Sequence, residues 1–322
     1  MSIVLAIVAL LFWETVFLEA QLQLGFYETR CPMAEMVVFQ EVSMAIRNDV
    51  GIAAGLVRMH FHDCFVRGCD GSVLIDSTPG NSAEKDSPVN NPSLRGFEVI
   101  DRAKARLEAA CNAVVSCADI LAFAARDSIA MTGGIPYAVP SGRRDGRVSI
   151  AFETFTNLPG PNFNLSQLTQ SFANKAFSQE EMVTLSGAHS IGRAHCGTFS
   201  NRLYNFSAIS AQDPSLEPFL AMQLMQQCPL GNNDSSFVVQ MDPRSPYTLD
   251  TSYYYNIAAN RALFVSDQAL MADSATANQV MRNAFDNDAW RSDFSQAMLK
   301  LGQLGVLTGT EGEIRLNCRV VN

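Results

Sequence analysis

Histidine is scarce in this chain: four occur, at positions 60, 62, 189 and 195, among 322 residues. With so few imidazoles and no C-x-x-C pair, the sequence offers little to a zinc site. Charge is sparse too. Asp, Glu, Lys and Arg make up 17% of the chain, and 32 acids against 23 bases leave a net charge of −9. No basic patch or aromatic-basic interleaving offsets that excess, which argues against nucleic acid as a partner. After residue 20 no uninterrupted apolar run reaches the length of a membrane span. Clear strand alternation is rare, and no internal repeat occurs. What remains is an ordinary folded composition, 48% hydrophobic, in a chain long enough for one large domain or two lobes.

The first twenty residues stand apart. They hold no Lys or Arg, and Ile3 to Phe12 is a continuous apolar run, the form of a secretory signal with Ala20 as its cleavage residue. The basic leader of such signals is missing and Glu14 breaks the pattern, so an N-terminal anchor or a buried helix is the competing reading. Removing residues 1–20 takes away Glu14 and Glu19 and leaves 23 bases against 30 acids, a net charge of −7. Cys31, Cys64, Cys69, Cys111, Cys117, Cys196, Cys228 and Cys318 all lie beyond this segment. An even set in an oxidising compartment implies four disulfides, but counting does not give their connectivity. Asn164, Asn205 and Asn233 each open an N-x-S sequon, candidate glycan sites in that compartment.

Helical signals dominate the remainder. Glu35 to Asn48, Ile52 to His62, Ser116 to Met131 and Trp290 to Leu304 carry apolar residues at three- and four-residue spacing. Ser178 to Glu181 has the S-x-x-E form of a capping box. Asp213-Pro214 has the form of an N-cap followed by proline at the first helical position. Loops are marked at Pro79-Gly80-Asn81, Asn90-Asn91-Pro92, Gly133-Gly134 and Pro159-Gly160-Pro161. The pattern predicts a mostly α protein of about ten helices in two lobes meeting near residue 160.

Two segments carry chemistry. In RMHFHDC (58–64), Arg58 and His62 are four apart, one turn along a single helix face, with Phe61 beside them. A fixed cation next to a titratable base suits cleavage of a peroxide O–O bond: the imidazole relays a proton, and the guanidinium stabilises the charge on the departing oxygen. The same pair fits a purely structural helix end. His60 and His62 make a poor metal pair, because helical residues two apart diverge. His189 follows an apolar helical run and is surrounded by Ser186, Gly187, Ala188, Ser190 and Gly192. Such small neighbours would admit a flat macrocycle, although a lone histidine of this kind also fits a satisfied core residue. His195 has no comparable setting.

Two loops are rich in oxygen. Asp63, Asp70 and Ser72 in DCFVRGCDGS, and Asp242, Ser245, Thr248 and Asp250 in MDPRSPYTLD, offer ligands of the type Ca²⁺ takes. Neither loop is an EF-hand, and a solvated acidic turn reads equally well.

Taken in order, FYETRCP, RMHFHDCFVRGCDGSVLID, RGFEVID, VSCADILAFAARD, PSGRRDGR, LSGAHSIGRAHC and IRLNCRVVN resemble the secreted plant (class III) haem peroxidases, the horseradish peroxidase family. The resemblance runs from about Gln21 to Asn322. It implies a mostly α fold with haem b between a distal lobe, roughly 21–160, and a proximal lobe, roughly 161–322. It implies Arg58 and His62 as the distal catalytic pair, Phe61 as the aromatic beside the haem, and Asn90 as the acceptor that orients His62. His189 becomes the axial iron ligand and Asp267, in FVSDQ, its carboxylate partner. Asn90 and Asp267 would otherwise read as turn residues. Two calcium ions are implied as well. The distal one takes Asp63, Val66, Gly68, Asp70 and Ser72, with Glu84 in support; the proximal one takes Ser190, Asp242, Ser245, Thr248 and Asp250. The family's cysteine pairing is Cys31–Cys111, Cys64–Cys69, Cys117–Cys318 and Cys196–Cys228.

The expected activity is that of a donor:hydrogen-peroxide oxidoreductase, reducing peroxide to water while oxidising small phenolic donors by one-electron steps. The enzyme is expected to be a secreted monomer without nucleic-acid or membrane partners. Pro159, with Pro161, keeps the form of the donor loop. Pro88, Asn162 and Thr198, however, stand where horseradish peroxidase has phenylalanines, and Phe163 is shifted, so the donor edge has its own shape. The chain ends soon after Cys318, which favours the extracellular space or cell wall over the vacuole. The rival readings are a haem- or calcium-binding protein without turnover, and a zinc hydrolase using His60 and His62.

Overall fold

The computed structural model describes residues 21–231 and 236–322. The signal segment 1–20 and the Asn233 sequon lie outside the described residues. Thirteen α-helices occur among them. In the first half these are α1 (Ala34–Asn48), α2 (Ile52–Val66), α3 (Phe97–Ala110), α4 (Cys117–Met131) and α5 (Ala151–Asn157). Then follow α6 (Leu165–Ala173), α7 (Gln179–Ser186), α8 (Ser200–Tyr204) and α9 (Pro218–Gln227). The last are α10 (Ser252–Ala258), α11 (Val265–Gln268), α12 (Ser274–Phe285) and α13 (Asn287–Leu301). Two short strands, β1 (Arg193–His195) and β2 (Val238–Gln240), pair antiparallel, Arg193 facing Gln240 and His195 facing Val238. The protein is mostly α, as the sequence predicts. The count exceeds ten because α5, α8 and α11 are only seven, five and four residues long, too short to show a period.

Helix α2 organises the interior. Twelve of its fifteen residues are buried, as a helix apolar on all sides requires. Ile52, Ala53, Leu56 and Met59 join one core with residues of α1, α3 and α4. Val57, Phe65 and Val66 join a second core with residues of α7, α10, α12 and α13. A smaller third core gathers around Phe199, Leu220, Ala221 and Leu224. Arg58 and His62 sit on a helix that serves both large cores, so their positions are fixed from two sides.

The capping signals have mixed outcomes. Ser178 and Glu181 form the predicted box at the start of α7, Ser178 Oγ accepting the Glu181 N–H at 3.1 Å. Ser116 caps α4 through the Asp119 N–H. Asp213-Pro214 starts no helix. Asp213 instead forms a buried ion pair with Arg202 at 2.7 Å and accepts the Ser215 N–H at 2.8 Å. The helix begins at Pro218, with Glu217 as its cap. Helix α13 starts at Asn287 rather than Trp290 because Asp286 caps it, and it stops at Gly302.

All four disulfides pair as the resemblance implies: Cys31–Cys111, Cys64–Cys69, Cys117–Cys318 and Cys196–Cys228.

Candidate active site

The loop after the short turn at Glu84–Asp86 grips α2 at two points. Arg58 donates through Nη1 to Ser93 Oγ at 3.0 Å and through Nη2 to the Val89 carbonyl at 3.2 Å. Asn90 Nδ2 donates to the Glu84 carbonyl at 2.8 Å, which turns its Oδ1 toward His62 Nδ1, 2.6 Å away. An oxygen there can only accept, so His62 carries its proton on Nδ1 and leaves Nε2 as a free base. Burial, then the charge of Arg58, hold the His62 pKa well below 6.5 against the opposing bond to Asn90. The imidazole is therefore neutral at physiological pH. Phe61 stacks on Phe65 with ring centroids 4.1 Å apart and lies 6.1 Å from the His62 ring. The sequence reading missed Val89 and Ser93, which nothing but tertiary contact with Arg58 distinguishes from ordinary loop residues.

His189 lies in a 3₁₀ turn, Gly187–Ser190, that continues α7. Its Nδ1 lies 2.8 Å from Asp267 Oδ1 on α11. Here too the carboxylate fixes the proton on Nδ1 and frees the Nε2 lone pair, the donor a metal needs. Burial opposes charging this imidazole, but the charge of Asp267 and its hydrogen bond outweigh it and raise the pKa; Arg58 acts in the other direction. Arg58 is thus close enough to feel His189. The His189 side chain keeps 42% of its surface accessible, which a packed core histidine would not. Gly187, however, is small for another reason: a Cβ there would lie 2.6 Å from Trp290 and 2.7 Å from the Tyr254 hydroxyl.

The first oxygen-rich loop is buried. Asp63, Asp70, Ser72 and Glu84 are each 5% exposed or less. Asp63 accepts the Gly71 and Val73 N–H groups at 2.9 and 3.3 Å, and Asp70 accepts the Ser72 N–H at 2.9 Å. Burial first, and repulsion from Asp70 second, push the Asp63 pKa up. Burial likewise pushes Glu84 up to about 8. Among the described residues, neither Ser72 Oγ nor either Glu84 carboxylate oxygen has a hydrogen-bond partner. Crowded, buried and unpartnered oxygens of this kind fit a hard divalent cation. The Val66 and Gly68 carbonyls accept from Lys175 Nζ at 3.5 Å and the Asp70 N–H at 2.8 Å. Gly68 has φ +99°, and a Cβ there would meet the Gly305 carbonyl oxygen at 2.4 Å, so only glycine fits.

The second loop is drawn together by the β1–β2 ladder, which sets Ser190 close to the segment after β2. Ser190 Oγ accepts the Asp250 N–H at 3.4 Å. The Ser252 hydroxyl, absent from the sequence reading, contacts both Asp242 and Asp250 and lies 2.6 Å from Ser245 Oγ. One hydroxyl proton cannot serve both carboxylates, so this oxygen cluster also fits a cation. Thr248 is tied in through its backbone N–H to the Ser245 carbonyl at 3.0 Å, with its side chain exposed.

Comparison with known proteins agrees with this geometry. The family profile described as peroxidase matches residues 38–286. The chain is 62% identical over 316 residues to Peroxidase 5 of Vitis vinifera, covering 96% of each protein. It is 50% identical over 308 residues to Peroxidase 1 of Zea mays, covering 94% of this chain and 84% of that one. The chain belongs to the plant peroxidase family. It is a peroxidase enzyme with the family's mostly α fold, acting on hydrogen peroxide and small-molecule donors.

In this peroxidase His60 and His62 do not cooperate. His60 is buried, and burial, then Arg143, lower its pKa to about 3. The one group among the described residues whose ligand atoms converge for a metal by His, Cys, Asp or Glu is His60, Cys64 and Cys69. Its two sulfurs are bonded to each other, so it offers no thiolate. The Pro159–Pro161 segment is anchored by the Ser266 N–H donating to the Pro161 carbonyl at 2.9 Å, one residue before Asp267. Pro159 is half-buried, Pro88 and Asn162 are exposed, and Asn162 Oδ1 accepts from Asn201 at 3.4 Å. Asn164 and Asn205 are exposed; Asn164 also caps α6 through the Gln167 N–H at 2.9 Å. No helix among the described residues is long and apolar enough to cross a membrane.

Proposed function

We propose that this peroxidase reduces hydrogen peroxide to water while oxidising small phenolic donors in one-electron steps, with a haem b whose iron His189 would hold. The observation that carries the reading is a pair of imidazoles, each locked with its proton on Nδ1, His62 by Asn90 and His189 by Asp267. The haem, when bound, supplies the two electrons that break the peroxide O–O bond and recovers them singly from donors. The protein's own residues do the rest. His62 Nε2 takes a proton from one peroxide oxygen and delivers it to the other, which leaves as water. Arg58, held by Ser93 and Val89, stabilises the negative charge on that departing oxygen. Phe61 shapes the pocket wall. Asp267 pulls on the His189 N–H and makes the imidazole a stronger donor toward iron.

Asp63, Val66, Gly68, Asp70 and Ser72, with Glu84 in support, would hold one calcium ion; Ser190, Asp242, Ser245, Thr248 and Asp250 would hold another. The donor site lies by Pro159, at the edge between a distal lobe ending near residue 160 and a proximal lobe beyond it. Removal of residues 1–20 would release a secreted monomer carrying glycans at Asn164, Asn205 or Asn233.

The test is the visible spectrum of the purified protein before and after one equivalent of peroxide. A Soret band that shifts with peroxide and returns with a phenol is expected. No Soret band after haem-replete expression would refute the cofactor, and a band inert to peroxide would refute the roles of Arg58 and His62.

A further inference from the structure

The carboxylate behind His189 has a second donor. Tyr253, near the start of α10, donates its phenol O–H to Asp267 Oδ1 at 2.8 Å. This is the same oxygen that accepts from His189 Nδ1, also at 2.8 Å. The other carboxylate oxygen, Oδ2, is buried and has no hydrogen-bond partner among the described residues. Two donors therefore draw on the electron density of one atom. The phenol is fixed in place: Tyr253 is 4% exposed, and its ring stands edge-on to His189 at 6.2 Å and to Tyr254 at 5.0 Å. Burial, then the charge of Asp267, hold its pKa well above 10, so the phenol keeps its proton and acts only as a donor to the carboxylate.

We propose that Tyr253 is a positioning residue that moderates the pull of Asp267 on His189 and so sets how strongly that imidazole donates to the iron. The inference rests on reading His189 as the axial ligand. A carboxylate oxygen that accepts one hydrogen bond is more basic than the same oxygen accepting two. Without the phenol, Asp267 draws the Nδ1 proton more strongly, the imidazole gains imidazolate character, and the oxidised metal is favoured. The peroxidase thus carries both a device that raises the donor strength of His189 and one that limits it.

The experiment compares wild type, Tyr253→Phe, Asp267→Asn and the double variant in two readouts. These are the ferric/ferrous midpoint potential and the iron–imidazole stretching frequency of the ferrous protein. Tyr253→Phe is expected to lower the potential and raise the frequency, and Asp267→Asn to move both the opposite way. In the double variant the effect of Tyr253→Phe should vanish, because the oxygen through which it acts is gone. A loosened pocket would move both single variants in one direction. The proposal is overturned if Tyr253→Phe leaves both readouts unchanged, if it shifts them as Asp267→Asn does, if its effect persists in the double variant, or if it abolishes haem uptake. Absence of the iron–imidazole band in wild type would instead sink the axial-ligand reading, and this inference with it.

Discussion

At the scale of single residues, the proposed function rests on which nitrogen of each histidine holds its proton. Asn90 can only accept at the oxygen facing His62, because its amide nitrogen is committed to the Glu84 carbonyl. His62→Ala is expected to slow reaction with peroxide by at least roughly 10²–10⁴-fold, the usual worth of a positioned acid-base group, while haem remains bound. Stopped-flow absorbance checks this; a normal rate would show that His62 is not the base. The pH dependence has a definite sign. Burial, then Arg58, depress the His62 pKa, so the neutral base persists below pH 6.5 and activity falls only in more acidic solution. Arg58→Leu removes a neighbouring positive charge, so the acid limb of the rate profile should move to higher pH, on top of a lower maximum. A limb that stayed put would mean that Arg58 does not influence His62. Arg58, His62 and His189 were each legible as chemistry-bearing types. Asn90 and Asp267 emerged only through family resemblance, since an Asn before a proline loop and an Asp in FVSDQ look like turn residues. Ser93, Ser252 and Tyr253 carried no sequence signal at all.

At the scale of elements, α2 and α4 were readable because long buried helices repeat their period several times. Both appear within a few residues of the expected bounds. The Asp213-Pro214 pair misled because a buried arginine outcompetes a helix end for the carboxylate. Helix α4 also carries a pH-linked strain. Burial pushes the Asp127 carboxyl up to about 6, only partly offset by Arg126, and one of its oxygens lacks a partner among the described residues. A raised carboxyl contributes stability below its unfolded value of about 4 and loses it as pH rises through about 6, on the order of 3 kcal/mol. Asp127→Asn should therefore gain stability relative to wild type between those pH values, as denaturant titrations would reveal; a constant difference would contradict the assignment. The first oxygen loop connects to the base through Glu84, whose carbonyl holds Asn90 while its side chain joins the buried acids. Elemental analysis is expected to find two calcium ions, and chelation should slow peroxide reaction as well as lower thermal stability. Loss of calcium with an unchanged rate would show that the loop does not support His62.

At the scale of the whole molecule, the disulfides differ in what they restrain. Cys117–Cys318 joins residues 201 apart and ties the end of the chain to the first core, whereas Cys64–Cys69 spans five. On chain-entropy grounds the long bridge is worth about 5 kcal/mol and the short one roughly 2 kcal/mol. Replacing Cys117 and Cys318 by serine should lower the melting temperature more than replacing Cys64 and Cys69, provided calcium is saturating in both. Equal losses in calorimetry would show that the short bridge acts mainly through the oxygen loop it closes.

The sequence by itself determined the family and the helical architecture, through local periodicity and motifs a few residues long. The bridge pattern and the residues proposed to meet peroxide followed only from the family resemblance those motifs carry. Only the tertiary structure decided which atoms those residues use. Asn90 reaches His62 across 28 positions, Asp267 reaches His189 across 78, and Tyr253 shares the Asp267 oxygen from a third segment. Proton location and donor strength are set by such contacts through space, and no local pattern encodes them.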